Sequence, residues 1–298
     1  MVLKIQKLIN IFKLIRIHQW LKNIFILLPI FFGLKINNIP VLINTIIITL
    51  GFSFVASSIY IFNDLCDVDS DKNHPSKRTR PIASGKITVN EAVILIMIML
   101  FLGLITINAS IASSKVYYLI LIYLAQNILY SLKIKKHAIW DVVFIAFGFV
   151  IRILIGGEIS DVDLTPWILI LTFILALFLA LSKRYDDLRL IGVSEIKIRE
   201  SVSSYNLVFL QVTIGVLAAL VINSYILYTV STDAVNRFGE EIYYTGVFVI
   251  IGMIRYLQLV FVYEKGESPT KILIKDRVLQ IVITLWFLLF CFIIYFNK

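Results

Sequence analysis

The chain has 298 residues, 59% of them hydrophobic and only 16% charged, and carries a net charge of +9. Soluble domains average about 45–50% apolar and about 25% charged residues, so these values, with a mean hydropathy of +0.91, exclude an ordinary soluble domain and indicate an integral membrane protein with many spans. Two cysteines, Cys66 and Cys291, exclude a disulfide framework or a zinc spacing.

The N-terminus is basic (Lys4, Lys7, Lys13, Arg16) with apolar residues between the charges. It lacks the short apolar core and small-residue cleavage site of a signal peptide. Residues 1–19 read as an amphipathic segment on the membrane surface that leads into the first span. Nine apolar stretches then follow, each long enough to cross or nearly cross a bilayer. They run from Trp20 to Leu34, Ile39 to Phe62, Ala92 to Ile111, Val116 to Leu132 and Ile139 to Gly157. The others run from Pro166 to Ser182, Leu207 to Val230, Ile242 to Tyr263 and Val278 to Phe296. The expectation is an all-α polytopic protein of one domain, 1–298, with nine transmembrane helices around a central cavity.

Nine spans put 22 of the 28 Lys and Arg residues on the side of the N-terminus. Four, Lys35, Lys115, Arg237 and Lys298, fall opposite, and Arg152 and Arg255 lie inside spans. Cytoplasmic loops carry the excess of Lys and Arg, so the N-terminus and the charged loops are expected to be cytoplasmic. The positive charge is then a topology signal with attraction to anionic lipid, and no nucleic-acid partner is implied.

The most charged passage follows the second stretch: NDLCDVDSDKNHPSKRTRPIASG, from Asn63 to Gly85. If Asn63 to Asp71 continue the helix, Asp64, Asp67 and Asp71 stand at i, i+3 and i+7 on one face, with Asn63 beside Asp67. Asp69 points elsewhere. Three close carboxylates repel one another unless a cation sits between them. Mg²⁺ is held by a few carboxylates plus substrate phosphate oxygens, and Lys72, Lys77, Arg78 and Arg80 suit the phosphate itself. The competing reading is a solvated loop between two membrane helices. His18, His74 and His137 are too far apart in sequence to suggest a metal set.

A second charged loop begins at Ser182, four helices later: SKRYDDLRLIG. It mixes Lys183, Arg184 and Arg189 with Asp186 and Asp187, around Tyr185. That mixture suits an additional phosphate; the competing reading is a positive-inside flank with local ion pairs. Charged residues within spans are costly and functional by default. Arg152 and Arg255 therefore either hold an anion, such as a lipid or substrate phosphate, or pair with a carboxylate of another helix. Asp141 opens the fifth stretch, as a helix N-terminal charge or a further metal ligand. Lys22 and Asn23 follow the interfacial Trp20, Lys22 as an anchor or a phosphate ligand. Asp276 and Arg277 close the last charged loop, paired with each other or lining a cavity mouth.

NDLCDVDSD, with the downstream RPIASGKI, resembles the first aspartate motif of the UbiA prenyltransferase superfamily. Within it the chain is more similar to the decaprenyl-phosphate phosphoribosyltransferases, through HQWLKN, HPSKRTRPIASG, NILYSLKIKKHAIWDVVFIAFGFVIRILIGG, LALSKRYDDL and RYLQLVF. Aromatic-ring prenyltransferases carry a second D-x-x-x-D motif, and KRYDDLR departs from that spacing. The resemblance implies that phosphoribosyl diphosphate is the donor and a polyprenyl phosphate the acceptor. It further implies that Mg²⁺ sits on Asn63, Asp64, Asp67 and Asp71, with Lys183 and Asp187 also catalytic. Lys77, Arg80, Tyr130, Arg184 and Tyr185 then bind substrate, with Lys22, Arg152 or Arg255 on the lipid phosphate. The alternative activity is transfer of a prenyl group from its diphosphate to an aromatic acceptor. A third class, a transporter or scaffold, fits less well, because proline is scarce in the spans and the polar chemistry gathers at one membrane face. A homo-oligomer is left open, as are lipid length and downstream glycan.

Overall fold

The computed structural model describes residues 2–73, 77–191, 200–263 and 269–296; His74 lies outside them. Those residues form fourteen α-helices, short 3-10 segments and no strand. They divide into two compact units, Met1–Leu164 and Thr165–Lys298.

The first unit contains α1 (Val2–Ile15), α2 (Leu28–Phe32), α3 (Ile39–Cys66), α4 (Val68–Lys72), α5 (Val89–Asn108), α6 (Ser114–Leu132) and α7 (Trp140–Ser160). Its core is apolar and aromatic: Phe52, Val55 and Ile59 of α3 pack with Ile107, Ile120, Tyr123, Ile151 and Ile155. Without a hydrophobic drive between helices in lipid, close approach is what counts. Here α3 meets α5 through small residues: a Cβ on Gly51 would stand 3.2 Å from Gly103 O, and one on Gly103 3.1 Å from Gly51 O. The face of α3 toward the N-terminal segment is polar. Thr45, Thr49, Ser53 and Ser57 each donate to the carbonyl four residues back. Ser53 Oγ also accepts from Asn23 Nδ2 at 2.8 Å, and Ser57 Oγ from Trp20 Nε1 at 2.9 Å.

The segment that reaches those serines is a 3-10 stretch, Ile17–Leu27. Such runs seldom exceed three or four residues. Two contacts with α7 hold it: Asn23 meets Arg152, and the Ile26 carbonyl lies where any Cβ on Gly156 would come within 2.2 Å. Arg16, before the stretch, takes left-handed φ 56 and separates it from α1.

The second unit contains α8 (Pro166–Ile191), α9 (Glu200–Ser203), α10 (Leu207–Thr229), α11 (Thr232–Phe238), α12 (Gly246–Phe261), α13 (Pro269–Lys275) and α14 (Arg277–Phe296). Phe178 of α8 packs on Tyr256 of α12, ring centroids 5.1 Å apart. The Tyr225 hydroxyl joins Thr245 Oγ1 and accepts from Trp286 Nε1, each at 2.8 Å, so three polar groups are buried together without a charge.

Nine helical runs among the described residues are long and apolar enough to cross a membrane. Eight follow the expected stretches to within a few residues at most boundaries. Two bounds move outward. The first candidate span begins at Ile5 rather than Trp20, because α1 is itself apolar and helical. The sixth continues past Ser182 to Arg189, so the second charged motif is helix rather than loop. The large exposed side chains, such as Ile94, Met97, Phe101 and Leu104 on α5, suit lipid.

Candidate active site

Helix α3 carries the acidic motif on its last turn. The Asp67 N–H donates to Asn63 O at 3.1 Å and the Asp71 N–H to Asp67 O at 2.8 Å, so four-residue spacing runs on into α4. Asp67, at φ −100, ψ 2, is the joint between the two helices. The helical period then sorts the carboxylates. Asp64 and Asp71 are buried and Asp67 is half-buried, while the Asp69 side chain is 98% exposed and pairs at 3.5 Å with Lys72, three residues on.

Buried carboxylates need partners, and each finds a cation. Arg80 Nη1 donates to Asp64 Oδ1 at 3.0 Å and to Asp71 Oδ2 at 2.7 Å. Arg16 Nη2 donates to the same Oδ1 of Asp64. Asp67 is served separately: Oδ1 accepts from Lys135 Nζ, and Oδ2 accepts from Asn63 Nδ2 at 3.2 Å. Lys135 belongs to the turn after α6 and is 9% exposed, an uncommon burial for lysine. The shared helix face led to the expectation of three carboxylates around one point. The arrangement differs: Asp64 and Asp71 share Arg80 while Asp67 pairs with Lys135, and no three His, Cys, Asp or Glu side chains among the described residues converge as a metal cage.

The donor set nevertheless fits a hard divalent cation. It is all oxygen, and Asn63 Oδ1 is a buried acceptor with no donor among the described residues. Ser131 Oγ, on the last turn of α6 and four residues before Lys135, is likewise buried without a partner. Lys77 lies in the short 3-10 turn Lys77–Thr79, and the Arg80 N–H donates to its carbonyl at 2.9 Å. Tyr130 is half-buried on the last turn of α6, and Lys22 half-buried in the 3-10 stretch. Asp141 is buried in the first turn of α7.

The second motif lies on α8 in the other unit. Lys183 is exposed; Arg184, Tyr185 and Asp186 are buried, and Asp187 is half-buried. Arg184 Nη1 donates to Asp187 Oδ2 at 3.0 Å, and the Tyr185 hydroxyl accepts from Gln211 Nε2 at 3.0 Å.

The two intramembrane arginines resolve differently. Arg255 grips Asp276 with both edges, Nε to Oδ1 at 3.2 Å and Nη2 to Oδ2 at 2.7 Å, and Nη1 donates to Gln258 Oε1 at 2.6 Å. Asp276 also caps α14 by accepting from the Leu279 N–H at 2.9 Å. Arg255 therefore belongs to a carboxylate pair between elements, and it is left out of the proposed phosphate site. Arg152 has neutral partners: Nε donates to Asn23 Oδ1 at 2.9 Å, Nη1 to Gly148 O at 2.6 Å and Nη2 to the Tyr123 hydroxyl at 3.2 Å. The Phe52, Tyr123 and Phe149 rings stand 5.0–5.5 Å away. Through Asn23 and Phe52 it sits level with Ser53, eleven residues and about 16 Å of helix rise from Asp64. That depth separates it from the carboxylates.

Reading the sequence missed Arg16 and Lys135. Both looked like positive-inside charges, and their partners are 48 and 68 residues away.

The model of the UbiA prenyltransferase family matches residues 26–279. A decaprenyl-phosphate phosphoribosyltransferase of Mycolicibacterium smegmatis is 30% identical over 293 residues, covering 93% of this chain and 90% of its own. One of Corynebacterium glutamicum is 32% identical, covering 94% and 85%. A UbiA homolog from Archaeoglobus fulgidus, solved bound to GPP and Mg²⁺, has the same fold, with a TM-score of 0.68 at 18% identity over 96% of this chain and 99% of that one. This multi-pass membrane protein is a member of the UbiA prenyltransferase family, an enzyme of the prenyltransferase type.

Proposed function

We propose that this protein transfers 5-phosphoribose from phosphoribosyl diphosphate to a polyprenyl phosphate, deca- or undecaprenyl, and releases diphosphate. What carries the reading is 30% identity along 93% of the chain to a decaprenyl-phosphate phosphoribosyltransferase. The buried acidic motif and the half-basic second motif give it a chemical basis. The whole chain, 1–298, acts as one catalytic domain.

An oxygen of the lipid phosphate attacks C1 of the ribose as the C1–O bond to diphosphate breaks, and diphosphate leaves with the bonding electrons. The lipid phosphate is an anion at neutral pH, so no strong general base is needed. Asn63, Asp64, Asp67 and Asp71 would hold Mg²⁺, which would offset the charge gathering on the departing diphosphate. Arg80 and Lys135 are already aimed at those carboxylates and stand ready to donate to diphosphate oxygens. Lys77, Lys183, Arg184 and Tyr185 hold the phosphate groups of the donor, and Asp187 orients the ribose hydroxyls. Lys22 and Tyr130 serve the lipid phosphate. The active site faces the cytoplasm of a cell membrane, with the N-terminus on the same side, a placement the Lys and Arg asymmetry supports.

The test is direct. Purified protein with Mg²⁺, phosphoribosyl diphosphate and polyprenyl phosphate should yield lipid-linked phosphoribose and diphosphate. Prenylation of an aromatic acid from prenyl diphosphate, with no phosphoribosyl product, would replace this reading with ordinary prenyl transfer.

A further inference from the structure

Arg16 has no role in the chemistry above, yet it touches the center of the acidic motif. It stands at left-handed φ 56 between α1 and the 3-10 stretch. Its guanidinium donates to Asp64 Oδ1 and lies 5.7 Å from the centroid of the Tyr60 ring. That oxygen also accepts from Arg80 at 3.0 Å. A carboxylate oxygen offers two lone-pair directions, and here both are taken. Asp64 Oδ1 has no lone pair left for a divalent cation while both arginines stay, and the two guanidinium charges beside the carboxylate oppose a cation at its other oxygen, Oδ2.

The two arginines are not equivalent. Arg80 bridges Asp64 and Asp71, so it keeps a partner if Asp64 turns away. Arg16 has one carboxylate, reached from a backbone conformation that L side chains seldom adopt. Its release costs one ion pair and frees one strained residue. Arg16 also closes one end of a strap. Lys7, near the middle of α1, pairs with Glu91, the capping-box residue of α5, and Leu14 and Ile15 are buried against Ile61, Ile82 and Ile87. The strap thus lies against the segment that follows the acidic motif.

We propose that Arg16 is an autoinhibitory counter-ion: it occupies Asp64 in the resting protein, and a divalent cation must displace it, loosening the Arg16 end of α1. The proposal rests on the reading of Asp64 as a metal ligand.

The experiment measures Mn²⁺ binding to the full-length protein in lipid nanodiscs without substrate, by electron paramagnetic resonance. Arg16→Met removes the competitor and should tighten Mn²⁺ binding about tenfold, the effect of one charge close to a carboxylate. Arg16→Lys should fall between Arg16→Met and wild type. Unchanged or weaker binding in Arg16→Met, with wild type binding Mn²⁺, overturns the latch alone. Binding to neither protein overturns the metal-ligand reading and the latch with it. A spin label at Leu8→Cys, on the exposed face of α1, supplies a second measurement in a chain that keeps Arg16 and carries Cys66→Ser and Cys291→Ser, so that the label sits at one position. Its mobility should rise on adding Mg²⁺, and an unchanged spectrum counts against release of the strap.

Discussion

The two charged motifs have similar residue types, and their described ion pairs span very different lengths of chain. In the first, the cations that pair with Asp64, Asp67 and Asp71 come from 9 to 68 residues away: Arg80, Arg16 and Lys135. In the second, Arg184 pairs with Asp187, three residues apart on one helix. Long-range pairs bring the entrance of the 3-10 stretch, the end of α3 and the turn after α6 to one place, so the proposed binding site is also a joint of the fold. An i,i+3 pair links two side chains of one helix turn. The first motif thus ties three elements of the fold together, and the second carries its charges on an already formed helix. Substitutions should separate the two, with the greatest losses in the first.

The largest effects fall on the buried face. Asp64→Ala, Asp67→Ala and Asp71→Ala should each lower kcat on the order of 10²–10³-fold, the cost of removing one preorganised electrostatic contact. Asp69→Ala, an exposed side chain paired with Lys72, should change it by about twofold at most. Phosphoribosyl transfer rates for the four purified variants decide the matter; equal losses at all four would sink the argument from the helix face.

Lys135 comes next. Lys135→Met leaves Asp67 with Asn63 as its remaining partner and removes a charge aimed at the site. The loss in kcat/KM should be about 10–100-fold, as for a hydrogen bond to a charged group. Lys133→Met, two residues earlier and exposed, is the control and should cost about twofold at most. Similar losses for both would reduce Lys135 to one more basic residue of a positive-inside loop.

Much of this is legible in the sequence, and the boundary of legibility is physical. Eight spans could be placed because long apolar runs are continuous along the chain and bounded by charge. The face shared by Asp64, Asp67 and Asp71, with Asp69 left out, follows from the helical period alone and matches their exposure. The 3-10 stretch from Ile17 to Leu27 gives no such signal. Its shape is set by Ser53, Ser57, Arg152 and Gly156, which lie on other helices. The same reason hid Arg16. A basic residue near the start of a membrane protein looks like a topology signal, and nothing local indicates that it reaches Asp64. Arg152 was visible as an anomaly, but its neutral partners Asn23 and Tyr123 were not.

The smallest kinetic effect is expected at Arg255, and it sharpens the comparison from the other side. The sequence offered two roles for this arginine, a lipid-phosphate ligand or a carboxylate pair, and its two-edged contact with Asp276 favours the pair. Arg255→Gln and Asp276→Asn should therefore behave alike. Each should lower the melting temperature by a few degrees, the order expected for one lost charge pair, and each should leave KM for polyprenyl phosphate within about twofold. The double variant should be little worse than either single one, because both remove the same interaction. A phosphate ligand would split them: Arg255→Gln would raise KM for the lipid about tenfold or more, while Asp276→Asn would free the guanidinium and leave KM unchanged or lower it. Thermal unfolding and lipid-phosphate titration of the same three proteins distinguish the two patterns, and the split pattern would return Arg255 to the substrate site.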